Sequence, residues 1–369
     1  MEIPLARPDV GPAEIEAVVN VMKTPHLSLG PRLPEFEGEF ARYCGTRYAV
    51  AVSSGTAALH LCMAAIGIRP GDEVITTPFS FVASANCILF EGGTPVFADI
   101  DPETWNIDPA KVAAAITPRT RAIIPVDVFG QPADMDPIRE IAARHSLRVV
   151  EDSCEALGAR YKGRRAGSLG DMGVFGFYPN KQLTTGEGGM IVTDDAEIAA
   201  TAASMRNQGR AAGASWLAHE RLGYNFRLSD INCAIGIAQL RRIDEIIARR
   251  TAVAQMYLER LGGDERLGTQ QIRPDVEMSW FVFVVRLADE YTAADRDRIL
   301  SELRARHIGC SNYFTPIHLQ PYMRERFGFA PGDFPVCEAL AQRTIALPFY
   351  GGMSAEQVDH VCRTLRSLL

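Results

Sequence analysis

From residue 46 onward the chain alternates short β-rich runs with helical patterns, and this rhythm narrows the fold more than any other feature. The runs YAVAVS (48–53), EVITT (73–77), TPVFADI (94–100), RAIIPVDV (121–128) and LRVVED (147–152) look like strands buried in a parallel sheet. Between them stand the helical patterns TAALHLCMAAIG, FVASANCILFEGG, PAKVAAAI and MDPIREIAARH. Strand, helix, strand at this interval implies right-handed crossovers. The expected class is therefore α/β, with a doubly wound, mostly parallel sheet. Ligands of such sheets collect at the carboxyl ends of the strands, which here carry SSGTAAL, TTPFSF, VDVFGQ and EDSCEA.

The rhythm breaks at LSDINCAIGIAQLRRIDEIIARRTAVAQMYLERLGG (228–263), a long apolar-periodic stretch with Ser229 or Asp230 as its N-cap. Beyond it lie a strand-like SWFVFVVRL (279–287), a helix near 293–306 and a closing helix at 354–368. A chain of 369 residues suits two domains. The expected division is a large domain at residues 1–245 and a smaller C-terminal α+β domain at 246–369. With 38 basic and 45 acidic residues the net charge is -7, which argues against nucleic-acid and anionic membrane surfaces. The eight cysteines are scattered, with no C-x-x-C pair and no Cys/His cluster. Neither a disulfide framework nor a metal site is expected. The N-terminal MEIPLARPDVG lacks an apolar leader core, and no apolar run long enough to span a bilayer occurs. The expectation is a soluble, cytoplasmic protein.

Three features carry chemistry. SSGTAALH (53–60) follows a strand and opens a helix, so Ser54, Gly55 and Thr56 form either a phosphate-binding turn or a plain capped helix start. Asp152 ends a β-rich run, where a carboxylate can pair with a heterocyclic nitrogen or cap a following helix. Lys181 sits in FGFYPNKQLTTGEGGM (175–190), after aromatics and before three glycines. Lysine is the usual amine of Schiff-base chemistry, and desolvation among aromatics pushes its pKa towards the nucleophilic range. The bland alternative is a solvated lysine. Taken together, the three would hold a phosphate, a pyridinium nitrogen and an aldehyde carbon, the three points by which pyridoxal phosphate is gripped. No G-x-G-x-x-G opens the first helix, so a dinucleotide-dependent oxidoreductase fits less well.

Over nearly its whole length the chain also resembles the sugar aminotransferases of the DegT/DnrJ/EryC1/StrS family, within the fold-type I aminotransferases. The likeness lies in PLARPDVG, SSGTAALHLCMAAIGIRPGDEVITTPFSFVASAN, VDVFGQPADMDPI, VVEDSCEALGARYKG, GSLGDMGVFGFYPNKQLTTGEGGMIVTDD, GYNFRLSDINCAIGIAQL and PIHLQPY. The resemblance implies that Lys181 carries pyridoxal phosphate as a Schiff base and later shuttles the substrate proton, with pyridoxamine phosphate as the aminated form. It implies that Asp152 pairs with the pyridine nitrogen, that Phe81 stacks on the ring, and that Gly55 and Thr56 bind the phosphate. Asn225 matches an asparagine that reaches the cofactor phosphate of the neighbouring subunit, which implies a homodimer with intersubunit sites. Glu155 resembles the residue of enzymes that aminate a 4-keto nucleotide sugar, such as perosamine synthases, and is counted with the cofactor site. Tyr313 and His318 match a region that approaches the sugar, although a lone histidine is as readily a core residue. One position departs: the family commonly has serine five residues before the lysine, and here it is Gly176.

The implied reaction moves the amino group of glutamate to the keto carbon, C4, of a nucleotide-linked keto-deoxy sugar. Amination at C3 or of a cyclitol is an alternative. A non-catalytic regulatory homologue is another, although Asp152, Lys181 and the phosphate turn are all present.

Overall fold

The computed structural model describes residues 2–211, 213 and 217–369. Its central sheet contains β1 (Tyr48–Val52), β2 (Glu73–Thr76), β3 (Thr94–Phe97), β4 (Thr120–Ile124), β5 (Arg148–Asp152), β6 (Met172–Gly176) and β7 (Gly189–Thr193). Their spatial order is β1-β7-β6-β5-β4-β2-β3. Strands β6, β5, β4, β2 and β3 pair in parallel. Strand β7 runs antiparallel to both β6 and β1. The five expected strands thus share one direction, and the exception is a strand that the sequence did not announce. The fold is α/β with a mostly parallel central sheet.

Successive strand residues point into different apolar clusters, which explains why the strands read as unbroken hydrophobic runs. Ile124, Val150 and Val174 face one side, with the helix Gly55–Ala65. Ile123 and Val149 face the other with the helix Met135–His145, and Phe175 does so with the helix Arg32–Cys44.

The reversal at β7 makes residues 177–188 a long hairpin loop at the carboxyl end of β6. Lys181 rides on this loop. Gly189 opens the returning strand where it passes the start of the helix Gly55–Ala65, and a Cβ there would lie 2.5 Å from the Ser54 carbonyl carbon. Only glycine lets the two backbones approach so closely.

The 228–263 stretch forms two helices, Asp230–Arg241 and Ile243–Leu261, broken at Arg242 (φ -117, ψ 15). Ser229 is the N-cap, its Oγ accepting from the Asn232 N–H, while the Asp230 carboxylate accepts from the N–H groups of Gly30 and Arg32. The second helix starts in the large-sheet core with Ile243 and ends in the C-terminal core with Val253, Tyr257 and Leu261. That core covers an antiparallel sheet of Leu267–Thr269, Phe283–Leu287 and Thr344–Leu347, with helices Ala293–Ala305 and Ala355–Leu368. Ile3 bridges to Ile308 and packs there too, so the first residues of the chain sit with the C-terminal unit. Among the described residues, no helix is long and apolar enough to cross a membrane, and no His/Cys/Asp/Glu group could hold a metal ion.

Candidate active site

A cavity of about 720 Å³ opens at the carboxyl ends of β5 and β6 and is walled on the far side by residues 312–315 and Phe281. Ser54, Gly55, Thr56, Phe81, Asp152, Glu155, Lys181 and Tyr313 all line it. Eight positions spread over 260 residues of sequence thus meet in one space.

The helix start forms its first wall. Ser54 caps the helix, its Oγ accepting from the Ala57 N–H at 3.0 Å. The N–H groups at the beginning of a helix lack intrahelical partners, so those of Gly55 and Thr56 remain to meet an anion. A Cβ on Gly55 would stand 3.0 Å from Cys154 Sγ and 3.2 Å from Gly176 Cα, so glycine is required by packing as well. Gly176 differs. A Cβ there would meet Cys154 Sγ at 3.5 Å, an ordinary contact, so the backbone leaves room for a side chain's first carbon. The thiol of Cys154 borders the space that a serine hydroxyl would enter.

Asp152 is the last residue of β5 and is buried. No helix follows it, so it does not act as an N-cap. Its Oδ2 accepts from Ser84 Oγ at 2.8 Å and its Oδ1 from the Cys154 N–H at 3.3 Å, which fixes the carboxylate at the cavity wall. Ser84, in the first turn of the helix Ala83–Phe90, lies in turn 3.0 Å from Ser80 Oγ in the bend before that helix.

Lys181 places its Nζ 3.7 Å from the centroid of the Phe281 ring and 3.7 Å from Glu155 Oε1. Its side chain is only 15% exposed, which excludes the solvated-lysine alternative. Glu155 is buried, and its other oxygen accepts from the Phe129 N–H at 2.9 Å. Burial pushes its carboxyl above the usual range, while the Lys181 charge and the Phe129 N–H pull the other way. The two groups face each other as a buried acid and amine at the cavity wall. Phe81 is 62% exposed at the cavity, an area that a flat ring lying on it would cover. Tyr313 stacks on Phe314 at 5.1 Å, and burial raises the pKa of its hydroxyl.

Two expected site residues lie elsewhere. His318 is fully buried and does not line the cavity. The short turn Ile317–Leu319 aims it into a cluster with Phe334 at 4.7 Å, and its Nε2 meets Glu338 Oε1 at 3.0 Å. It is a core histidine, and burial lowers its pKa. Asn225 is exposed on the surface, bridged to Asn207 between the stacked rings of Tyr224 and Phe226. It takes no part in the cavity of its own chain. Sequence reasoning missed Ser84, Asn180 and Phe281. Ser84 opens a helix just past the strand-end TTPFSF, and that position was the signal that could have found it. Phe281 lies 100 residues from Lys181 and gave no signal.

The donor set fits pyridoxal phosphate. The cavity offers an open helix start bordered by two glycines, a fixed carboxylate, an exposed aromatic face and a sheltered amine. These match a phosphate, a pyridine nitrogen, a flat ring and an aldehyde.

Comparison with known proteins agrees with this arrangement. The chain belongs to the DegT/DnrJ/EryC1/StrS aminotransferase family, which is matched over residues 8–366. It is a transaminase of the sugar aminotransferase type. It is similar to the GDP-perosamine synthase of Caulobacter vibrioides, at 41% identity over 100% of this chain and 98% of that protein. Among solved structures it is similar to S. venezuelae DesV, determined in complex with a ketimine intermediate. That likeness has a TM-score of 0.90 and 38% identity, covering 96% of this chain and 93% of that one. It is also similar to the sugar aminotransferase Spr1654 of Streptococcus pneumoniae, with a TM-score of 0.95 and 28% identity over 100% of this chain and 98% of that one. Spr1654 has been solved in PLP and PMP forms.

Proposed function

We propose that this protein uses pyridoxal phosphate to move the amino group of glutamate to C4 of a nucleotide-linked keto-deoxy sugar. The observation that carries the proposal is the convergence of Asp152, Lys181 and the helix start Ser54–Thr56 on one cavity. When bound, the cofactor supplies an aldehyde to capture the donor amine and a ring to spread the electrons released. The residues of the chain do the rest. Gly55 and Thr56 bind the phosphate, Asp152 keeps the ring nitrogen protonated, and Phe81 covers one face of the ring. Lys181 would hold the cofactor's aldehyde through its amine and, when free, would be the group placed to take up and return the substrate's proton at Nζ. Glu155, 3.7 Å away, is placed to exchange that proton with Lys181.

The sugar enters between the aromatic wall of Tyr313 and Phe314 and the cofactor. The C4 assignment rests on Glu155, whose counterpart stands in perosamine synthase-like enzymes, and on the 41% identity with a GDP-perosamine synthase. Asn225, exposed and outside its own cavity, would complete the phosphate site of a second copy, making the working unit a homodimer. The enzyme acts in the cytoplasm.

The test offers the purified protein glutamate and a panel of GDP-, UDP- and dTDP-linked 3-keto and 4-keto sugars, with products read by mass spectrometry. A one-nitrogen exchange at C4 of one substrate supports the proposal. Turnover of 3-keto sugars or cyclitol ketones alone overturns the C4 assignment. Absence of pyridoxal phosphate on the Lys181 peptide after borohydride reduction of reconstituted protein overturns the cofactor.

A further inference from the structure

Arg250 lies on the helix Ile243–Leu261, 4% exposed, outside the cavity lining. No carboxylate is hydrogen-bonded to it among the described residues. A buried cation with no carboxylate in hydrogen-bond contact is costly, and burial, opposed by the charge of Asp9, lowers the pKa of this guanidinium to about 10. Its N–H groups go instead to three backbone carbonyls. Nε donates to Trp280 O at 2.9 Å, and Nη2 to Phe281 O at 2.6 Å and to Asn180 O at 3.4 Å. Asn180 precedes Lys181 in the chain, and Phe281 is the ring on which Lys181 Nζ rests at 3.7 Å. One guanidinium therefore grips the backbone on both sides of the amine.

The 279–281 segment is anchored from its other side as well. The Ser279 N–H donates to Gly130 O at 3.1 Å and the Phe281 N–H to Phe129 O at 3.0 Å. Gln182, next to Lys181, donates from Nε2 to Ser279 Oγ at 2.9 Å. Trp280 sits at φ +53, a left-handed conformation that a bulky residue keeps only when its surroundings impose it. The fork of Arg250 closes this frame.

We propose that Arg250 is a positioning residue that sets where the Lys181 amine stands over Phe281. It thereby ties the helix leading into the C-terminal unit to the reacting group. This rests on the reading of Lys181 as the reacting amine. A residue that merely satisfied buried carbonyls would influence stability alone. A clamp on Lys181 influences the reactivity of that one amine.

The experiment compares wild type, Arg250→Lys and Arg250→Gln. In apoenzyme, a small neutral acylating reagent labels lysines, and peptide mass spectrometry reads the Lys181-to-Lys111 labelling ratio. Lys111 is exposed and serves as the internal reference. The ratio should shift several-fold in Arg250→Gln and less in Arg250→Lys, which keeps the charge and part of the hydrogen bonding. In reconstituted enzyme, kcat should fall about ten- to a hundredfold with KM within about twofold, as expected when a reacting group is misplaced. Unchanged labelling and unchanged kcat per folded site, with only a lower melting temperature, would overturn the proposal. Should Arg250→Gln not fold, the Arg250→Lys labelling ratio and kcat decide by the same criterion. The labelling needs no cofactor or sugar, so it reads the clamp even if the proposed reaction proves wrong.

Discussion

Two carboxyl groups with no exposed surface, Asp127 and Glu151, stand beside Asp152, and they make a pH-dependent prediction. Asp127 accepts from Ser153 Oγ at 2.6 Å and from the Ala133 N–H at 2.9 Å. Glu151 Oε2 accepts from the N–H groups of Leu169 and Gly170, while its Oε1 makes no hydrogen bond of its own, and the Gly167 backbone and the Asp127 carboxyl act on the same group. A proton on Asp127 supplies the missing donor. Burial, reinforced by the Glu151 charge, pushes the Asp127 carboxyl well above its ordinary range. The folded protein therefore keeps a proton that the unfolded chain releases near an ordinary aspartate pKa of about 4. Above that pH the folded state binds more protons than the unfolded state, so stability falls as pH rises, until the folded pKa is passed. One proton sets the limit at about 1.4 kcal/mol per pH unit. Asp127→Asn puts a permanent N–H donor against Glu151 and removes the Asp127 titration, leaving in both proteins the Glu151 carboxyl that burial itself pushes up. Urea midpoints of apoenzyme should be measured for both proteins from about pH 5 to about pH 8. The stability of the variant relative to wild type should climb with pH, no faster than that limit. A flat difference across the range would refute the assignment of the shared proton to Asp127.

Asp152→Asn should keep the circular dichroism of the wild type but lose several orders of magnitude in kcat, because a neutral amide cannot hold the ring nitrogen protonated. Near-full activity would leave Asp152 a structural residue. Gly176→Ser has room for its Cβ and adds a donor to the phosphate; a hydrogen bond to a charged group is worth about 1.5–3 kcal/mol, so cofactor loss on dialysis should slow about ten- to a hundredfold. An unchanged loss rate would show that the phosphate does not reach this position. Mixing Lys181→Ala with Asn225→Ala protein should raise activity above that of either parent once subunits exchange, since one site of each heterodimer regains both residues. A mixture that stays at the parental average after proven exchange removes Asn225 from the partner site.

The strands of the central sheet were legible because each is buried on both faces, and an unbroken apolar run between helical patterns has few other uses. β7 was not, because GMIVT follows GEG directly and looks like the tail of a loop. The break at Arg242 was hidden for a related reason: apolar positions continue through Ile243 and Ile246 without a glycine or proline to mark the kink. In the site, the fixtures belonging to strand ends and helix starts could be read locally. Gly55, Asp152 and Lys181 each occupy a position where the backbone itself dictates the use. Of the far wall, Tyr313 was named only through the resemblance and Phe281 not at all, because both arrive through the packing of the C-terminal unit against the large sheet. For His318 the sequence left two readings open, the sugar and the core. Its neighbours in sequence suggested the sugar, but a turn of three residues was enough to rotate it into the core.

The lysine between aromatics and glycines now has a mechanical explanation. The hairpin from β6 to β7 must leave the sheet, present Lys181 to the cavity and return alongside Ser54. Phe177 anchors the outgoing limb in the core with Phe36 and Phe40, at ring distances of 5.7 and 5.6 Å. Gly189 lets the returning limb touch the helix start without a side chain between them. The amine and the helix start at Ser54–Thr56 are thus fixed to one another by backbone packing rather than by flexible side chains. Asp152 is set by the adjacent strand β5, so all three are referenced to one sheet. The pieces contributed from outside that sheet include Phe281, whose carbonyl accepts from Arg250 of the helix Ile243–Leu261, and Tyr313, which stacks on Phe281. Substrate-dependent movement would therefore be expected in that C-terminal wall and not in the grip on the cofactor. Hydrogen exchange with and without a bound nucleotide sugar should change in residues 279–281 and 312–315 and leave β5, β6 and β7 unchanged. Slowed exchange confined to β5–β7 would show that the sheet, not the wall, adapts to the sugar.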